Sequence, residues 1–137
     1  MSHRVYLRSA RSREKGLGMV VLVTSAQIKP NAAGAFAQQF EQQLLSLIRA
    51  QPGFKDEMLL VVPGGPEILF ITSWESHANA ESYERRLWPE FMKMLANILD
   101  RPVHRRFQLA HSTLHPEGSA AFPVQSPITS EPSTPGA

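Results

Sequence analysis

No cysteine occurs among the 137 residues. Disulfides, thiolate catalysis, zinc fingers and iron–sulfur clusters are therefore excluded. Long apolar runs are also missing: none reaches the ~18 residues of a membrane span, and no signal-peptide hydrophobic region follows the basic start. A water-soluble, cytoplasmic protein with no membrane partner is the expectation. Charged residues make up only 19% and are unevenly placed. Arg4, Arg8, Arg11, Arg13 and Lys15 stand against one acid, Glu14, so residues 1–18 carry a net +4, and with +2 overall the remainder carries −2. The basic pI is thus a property of the leader. Residues 19–137 offer no basic surface, and no nucleic-acid partner is expected.

The two ends lack a sustained apolar period. Residues 1–17 are Arg- and Ser-rich, and residues 116–137 hold Pro116, Pro123, Pro127, Pro132 and Pro135 among Ser, Thr and Gly. Neither stretch can bury enough surface to offset its ordering entropy. The expected organisation is a disordered basic leader over 1–17, one domain over 18–115 and a disordered Pro/Ser/Thr-rich tail over 116–137. The leader is compatible with a transit peptide, a plain extension, or a start at Met19. A domain of this size buries a core only marginally, so a partner chain would help it.

Within the domain the apolar pattern alternates in type. Met19 to Lys29 is Val/Ile-rich and predicts a strand stopped by Pro30, with Asn31 as the expected N-cap. Phe36, Phe40, Leu44, Leu47 and Ile48 recur at steps of three and four and predict a helix with one buried face. Gln51-Pro52-Gly53 ends it. Phe54 to Val62 and Ile68 to Glu75 predict strands joined by the Pro63-Gly64-Gly65-Pro66 turn. Ser76 predicts the cap of a second helix, and Pro89 fits the first turn of its renewed continuation. That continuation carries the stripe Trp88, Phe91, Met92, Leu95, Ile98 and Leu99. Asp100-Arg101-Pro102 is expected to break it, and Val103 to Leu114 to form a fourth strand. The order βαββαβ predicts an α+β, ferredoxin-like fold: a four-stranded antiparallel sheet with helices on one face. The strand cores Val20–Val23, Met58–Val62 and Ile68–Ile71 are apolar on both faces. A bare sheet face should alternate with polar residues, so a second copy of the chain is expected to cover it.

Motif chemistry is sparse. His104 and His111 are seven apart and would point to opposite faces of an extended strand. His111 and His115 would share a face, about 13 Å apart. His77 opens a helix without a histidine at i+3 or i+4, and no HxH or HExxH occurs. Surface or hydrogen-bonded histidines, and no metal site, are expected. Gly16-Leu17-Gly18 precedes a strand, whereas a dinucleotide fingerprint follows one. No GxSxG elbow is present. Glu81 and Glu84, beside Arg85 and Arg86, read as a solvated helix face. The more informative groups are Trp74, Tyr83, Trp88 and Thr24. Aromatics under a helix usually serve packing, but Tyr83 and the mid-strand Thr24 have polar tips that need partners if buried.

Ile28-Lys29-Pro30, Gln51-Pro52-Gly53-Phe54, Trp74-Glu75-Ser76, and Pro102 followed by Arg106-Phe107 occur in that order. With this order and spacing, residues 19–112 resemble the antibiotic biosynthesis monooxygenase superfamily of dimeric α+β barrels. The resemblance implies a homodimer and a pocket between helices and sheet. It also implies a cofactor-independent monooxygenase acting on a small phenolic or quinone-type aromatic, with no cofactor. Its heme-degrading branch uses an Asn, a Trp and a His where this chain carries Thr24, Tyr83 and Lys93, so heme chemistry is not implied. The site it implies comprises Tyr83 and Thr24 as catalytic groups and Trp88, Trp74 and His104 as substrate contacts. No base stands out in the sequence; His104 and His77 are the candidates. The alternatives are a non-catalytic small-molecule-binding or structural homodimer, and an isomerase of the same barrel type. A polar cluster inside the helix–sheet cavity would discriminate between catalytic and non-catalytic readings.

Overall fold

Alternation along the first strand sets the two sides of the molecule. In β1 (Val20–Ile28), Val20, Leu22, Thr24 and Ala26 are buried, while Val21, Val23 and Ser25 are only half-buried. A period of two means that these two sets face opposite sides of the sheet. The computed structural model describes residues 18–119. Within it, β2 (Phe54–Val61), β3 (Glu67–Trp74) and β4 (Leu99–Gln108) join β1 in one sheet of order β2-β3-β1-β4. β3 pairs antiparallel with both neighbours, with Val20 and Phe54 flanking Trp74 and with Thr24 and Leu59 flanking Phe70. The expected ferredoxin-like α+β architecture is present.

Between β1 and β2 runs a helical arm of three parts: α1 (Ala33–Gln39), a π-helical turn (Phe40–Leu44) and α2 (Leu45–Arg49). Its buried residues are Phe36, Phe40, Leu44 and Ile48, each four apart. Four residues overshoot a 3.6-residue turn by about 40°, so an unbroken α-helix would rotate this stripe off the sheet. The wider π turn keeps it aligned. Leu47, expected on the same face, is instead 44% exposed. Asn31 is not the N-cap either: its φ is +64° and Ala32 occupies the cap position. The left-handed turn at Asn31, a residue that tolerates it, reverses the chain after Pro30.

The second arm is α3 (His77–Arg86) and α4 (Trp88–Met94). Ser76 caps α3, its Oγ accepting the Asn79 amide at 3.2 Å. Pro89 begins α4 as expected. Two of the motifs meet at this cap. Gly53 has φ +79°, and a Cβ there would lie 2.2 Å from Asn79 Cγ. The Glu75 amide donates to the Gly53 carbonyl at 2.7 Å. The Gln51-Pro52-Gly53-Phe54 and Trp74-Glu75-Ser76 segments therefore dock the helix–strand corner.

The fourth strand begins earlier and ends sooner than expected. α4 stops at Met94, and Asp100-Arg101-Pro102 lies inside β4 rather than breaking a helix. β4 is an edge strand, where the missing N–H of a proline is tolerated. From Gln108 onward the chain belongs to a second compact unit. There Ser112 Oγ accepts the amides of Leu114 and His115 at 3.0 and 3.2 Å. Such side-chain capture diverts backbone donors from a strand ladder, so His111 and His115 are not on a strand. Residues Pro116–Gly118 form a 3-10 turn. The expected leader 1–17 and residues 120–137 of the expected tail lie outside the described residues.

The core lies between the arms and one sheet face, with Leu22, Ile48, Trp74, Tyr83 and Phe91 almost fully buried. The other sheet face is apolar and open in the single chain: Met58, Leu60, Val103 and Phe107 are all at least 40% exposed.

Candidate functional site

Thr24 is 5% exposed, on the helix-side face of β1 whose other residues Val20, Leu22 and Ala26 are apolar. Its hydroxyl is the centre of a hydrogen-bonded chain. Trp88 Nε1, brought over the strand by the α3–α4 junction, donates to Thr24 Oγ1 at 3.1 Å. His104 Nδ1, on β4 beside β1, lies 2.9 Å from the same oxygen. The Trp88 and His104 rings pack at 4.6 Å between centroids. The opposite ring nitrogen, His104 Nε2, lies 2.7 Å from Glu84 Oε2 on α3. Glu84 Oε1 accepts from Arg106 Nη2, and Arg106 Nη1 lies 2.8 Å from His77 Nε2. The chain therefore runs from Trp88 through Thr24, His104 and Glu84 to the partly exposed Arg106.

At its inner end is a cavity lined by Thr24, Tyr83, Trp88 and apolar side chains that include Phe36, Phe40 and Met92. Its free volume is about 20 Å³, room for roughly one water molecule. Tyr83 is 2% exposed, stacked on Trp74 at 4.8 Å and edge-on to Phe91. Burial, aided by the neighbouring Glu84 carboxylate, pushes its hydroxyl well above the usual tyrosine range. Tyr83 can therefore donate a hydrogen bond or pack, but it cannot serve as a base near neutrality.

Of the five site residues expected from the sequence, Thr24, Trp88 and His104 are joined by direct contacts. Tyr83 lines the cavity with Thr24 and Trp88, while His104 stands behind Thr24 and does not line it. Trp74 does not line it: the indole is fully buried behind Tyr83 and donates to Thr72 Oγ1 at 2.7 Å. His77 is outside the cavity, at the Arg106 end. Glu84 corrects the sequence reading. It is not part of a solvated face, since its side chain is 17% exposed and held by His104 and Arg106. The sequence signal for it is the four-residue spacing from the buried Ala80, which places Glu84 at the margin of the buried face. Among the described residues, no group of three His, Asp or Glu side chains could hold a metal, and no helix is long and apolar enough to cross a membrane.

An antiparallel βαββαβ sheet, two helical arms on one face and a polar chain ending at an apolar cavity define an α+β protein of the ferredoxin-like type. The chain belongs to the antibiotic biosynthesis monooxygenase family, whose family model matches residues 19–97. His104 and Arg106 lie beyond that match. Solved structures with this fold include Rv0793 from Mycobacterium tuberculosis, 13% identical with a TM-score of 0.60, the alignment covering 69% of this chain and 98% of that one. SnoaB, a cofactor-independent oxygenase from Streptomyces nogalater, is 16% identical with a TM-score of 0.58, covering 70% and 97%. NE2512 from Nitrosomonas europaea, a protein of unknown function, is 17% identical with a TM-score of 0.60, covering 70% and 93%. Comparison with curated proteins gives no match.

Proposed function

We propose that this chain is a cofactor-independent monooxygenase of a small phenolic or quinone-type aromatic, bound between the helical arms and the sheet. The observation that carries this reading is the Thr24–His104 contact at the wall of an otherwise apolar cavity. Such a wall supplies what substrate-driven oxygen chemistry requires of a protein: a dry site, a proton acceptor and a donor for the resulting anion. Family membership and the likeness in fold to SnoaB, a cofactor-independent oxygenase, support it.

A phenol O–H placed against Thr24 Oγ1 would pass its proton through the hydroxyl to His104 Nδ1. Electron density then shifts to the activated ring carbon, which gives one electron to dioxygen. Recombination forms a C–O bond and a hydroperoxide, and loss of water leaves a carbonyl. For an activated ring methylene the balance closes. The carbon loses both hydrogens, one oxygen atom of dioxygen becomes the carbonyl oxygen, and the other leaves as water with those hydrogens. No outside reductant is needed. Tyr83, held neutral, and the Trp88 N–H are the remaining donors. The resting cavity is too small for a ring. Admission requires displacement of half-buried side chains, of which Met92 is the most adaptable.

The working unit we infer is a homodimer, because the open sheet face carries Met58, Leu60, Val103 and Phe107. Contiguous apolar surface of this kind is normally covered. The small cavity volume favours a second reading, a non-catalytic homodimer of the same fold.

Oxygen uptake with a panel of hydroquinones and anthrones, run against anaerobic controls, separates the two readings. Turnover that falls at least tenfold in His104→Gln supports the oxygenase. Absence of uptake across the panel, with no ligand-induced change in Trp fluorescence, supports the non-catalytic dimer.

A further inference from the structure

The chain beyond His104 has a polarity of its own. A neutral imidazole carries one proton, on either Nδ1 or Nε2, and the groups facing the two nitrogens decide which. Nε2 faces Glu84 Oε2 at 2.7 Å. A lone pair there would oppose a carboxylate oxygen, and Arg106 occupies the second oxygen of that carboxylate. The proton therefore belongs on Nε2, leaving Nδ1 as an acceptor toward Thr24. Thr24 must then donate its own hydrogen to His104 while accepting from Trp88. A hydroxyl has one donor and two acceptor sites, so one lone pair of Thr24 Oγ1 remains for whatever enters the cavity it lines.

We propose that Glu84, braced by Arg106, is a positioning residue that sets the direction of this relay and makes the cavity select a ligand that donates a hydrogen bond. The proposal deepens the oxygenase reading: it gives His104 its role as base and names a free O–H, not an ether or ketone oxygen, as the anchoring group. Proton transfer reverses the relay. Charged His104 donates through Nδ1, and the Thr24 hydroxyl turns to donate to the phenolate it has helped to form.

Glu84→Gln tests this without a change of shape. The amide has one acceptor oxygen, which Arg106 captures, and its NH2 group then faces His104 Nε2. The ring proton must move to Nδ1, and Thr24 becomes a donor into the cavity. The experiment is nitrogen-resolved NMR of 15N-histidine-labelled full chain, wild type and variant, at a pH where His104 is neutral. It is paired with Trp-fluorescence binding of 1-naphthol and 1-methoxynaphthalene. The expected result is an Nε2-protonated ring in the wild type and an Nδ1-protonated ring in Glu84→Gln. Wild type should prefer the naphthol by on the order of tenfold, the size of one hydrogen bond, and the variant should lose that preference. An Nδ1-protonated ring in the wild type overturns the proposal, whether or not the variant folds. A tautomer unchanged by the substitution also overturns it. Oxygen uptake is read separately: its absence beside the expected tautomers refutes the oxygenase and leaves the role of Glu84 standing.

Discussion

Thr24→Val removes the hydroxyl that joins three elements and keeps the β-branched shape that suits a strand. Two contacts disappear, the Trp88 donation at 3.1 Å and the His104 contact at 2.9 Å. Thr24 is 5% exposed, so water does not readily replace its hydroxyl. An N–H left facing a methyl group costs about 1–3 kcal/mol. A domain of this size shifts by about 4–8 °C per kcal/mol, so the melting temperature should fall by roughly 4–24 °C. Guanidinium unfolding followed by circular dichroism gives the free energy directly, provided both proteins are compared at one concentration. Trp88→Phe and the double variant complete a cycle. Because Trp88→Phe removes the stranded donor, the double variant should cost less than the sum of the singles by about 0.5–3 kcal/mol. A Thr24→Val protein as stable as the wild type, or singles that add within about 0.5 kcal/mol, would refute the view that this hydroxyl ties β1 to α4.

Three further outcomes are expected. Sedimentation at micromolar concentration should give about twice the 15.3 kDa chain mass, and Leu60→Glu with Val103→Glu should give a folded monomer; a wild-type monomer would contradict the covered sheet face. Gly53→Ala should cost about 2–5 kcal/mol, combining left-handed backbone strain with overpacking against Asn79; chemical unfolding measures it, and a cost under about 1 kcal/mol refutes the corner. For Tyr83, whose hydroxyl pKa is raised by burial, the unfolded chain releases its proton first once pH passes the ordinary value of about 10. Wild-type stability should therefore fall as pH rises beyond that point, and Tyr83→Phe should lose that part of the alkaline decline; parallel stability curves above pH 10 would show that Tyr83 does not contribute.

The fold was legible because its signals are local. Val-rich runs alternate with i, i+4 stripes, and Gly53, Ser76 and Pro89 mark corners through their own backbone chemistry. The errors came where a tertiary or side-chain effect overrode a local rule. Pro102 reads as a breaker unless β4 is known to be an edge strand. The π turn cannot be read from single residues, although the strict spacing of Phe36, Phe40, Leu44 and Ile48 already exceeds what an α-helix keeps on one face. Leu47 was misplaced for that reason. The turn at Ser112, which takes the Leu114 and His115 amides out of an extended run, is a side-chain event that an apolar pattern does not contain.

The candidate site is less legible for a different reason. Thr24 meets Trp88 across 64 positions and His104 across 80, and His104 meets Glu84 across 20. No window of sequence holds two consecutive members of this chain. Thr24 stood out because a hydroxyl in an apolar strand needs a partner, and that need follows from burial alone. Glu84 did not, because a carboxylate next to two arginines on a helix usually faces water. What separates it from Glu81 is register. Glu84 follows the buried Tyr83 and stands four residues after the buried Ala80, and its carboxylate reaches His104 and Arg106 on alternate residues of one strand. That i, i+2 pair on the helix-facing side of β4 could have been read from the sequence as a cation and a titratable ring awaiting one carboxylate. Their shared partner then had to come from α3, the helix that packs against β1 and β3, where Glu81 and Glu84 were the available acids. Only the second adjoins the buried stripe of Ala80 and Tyr83.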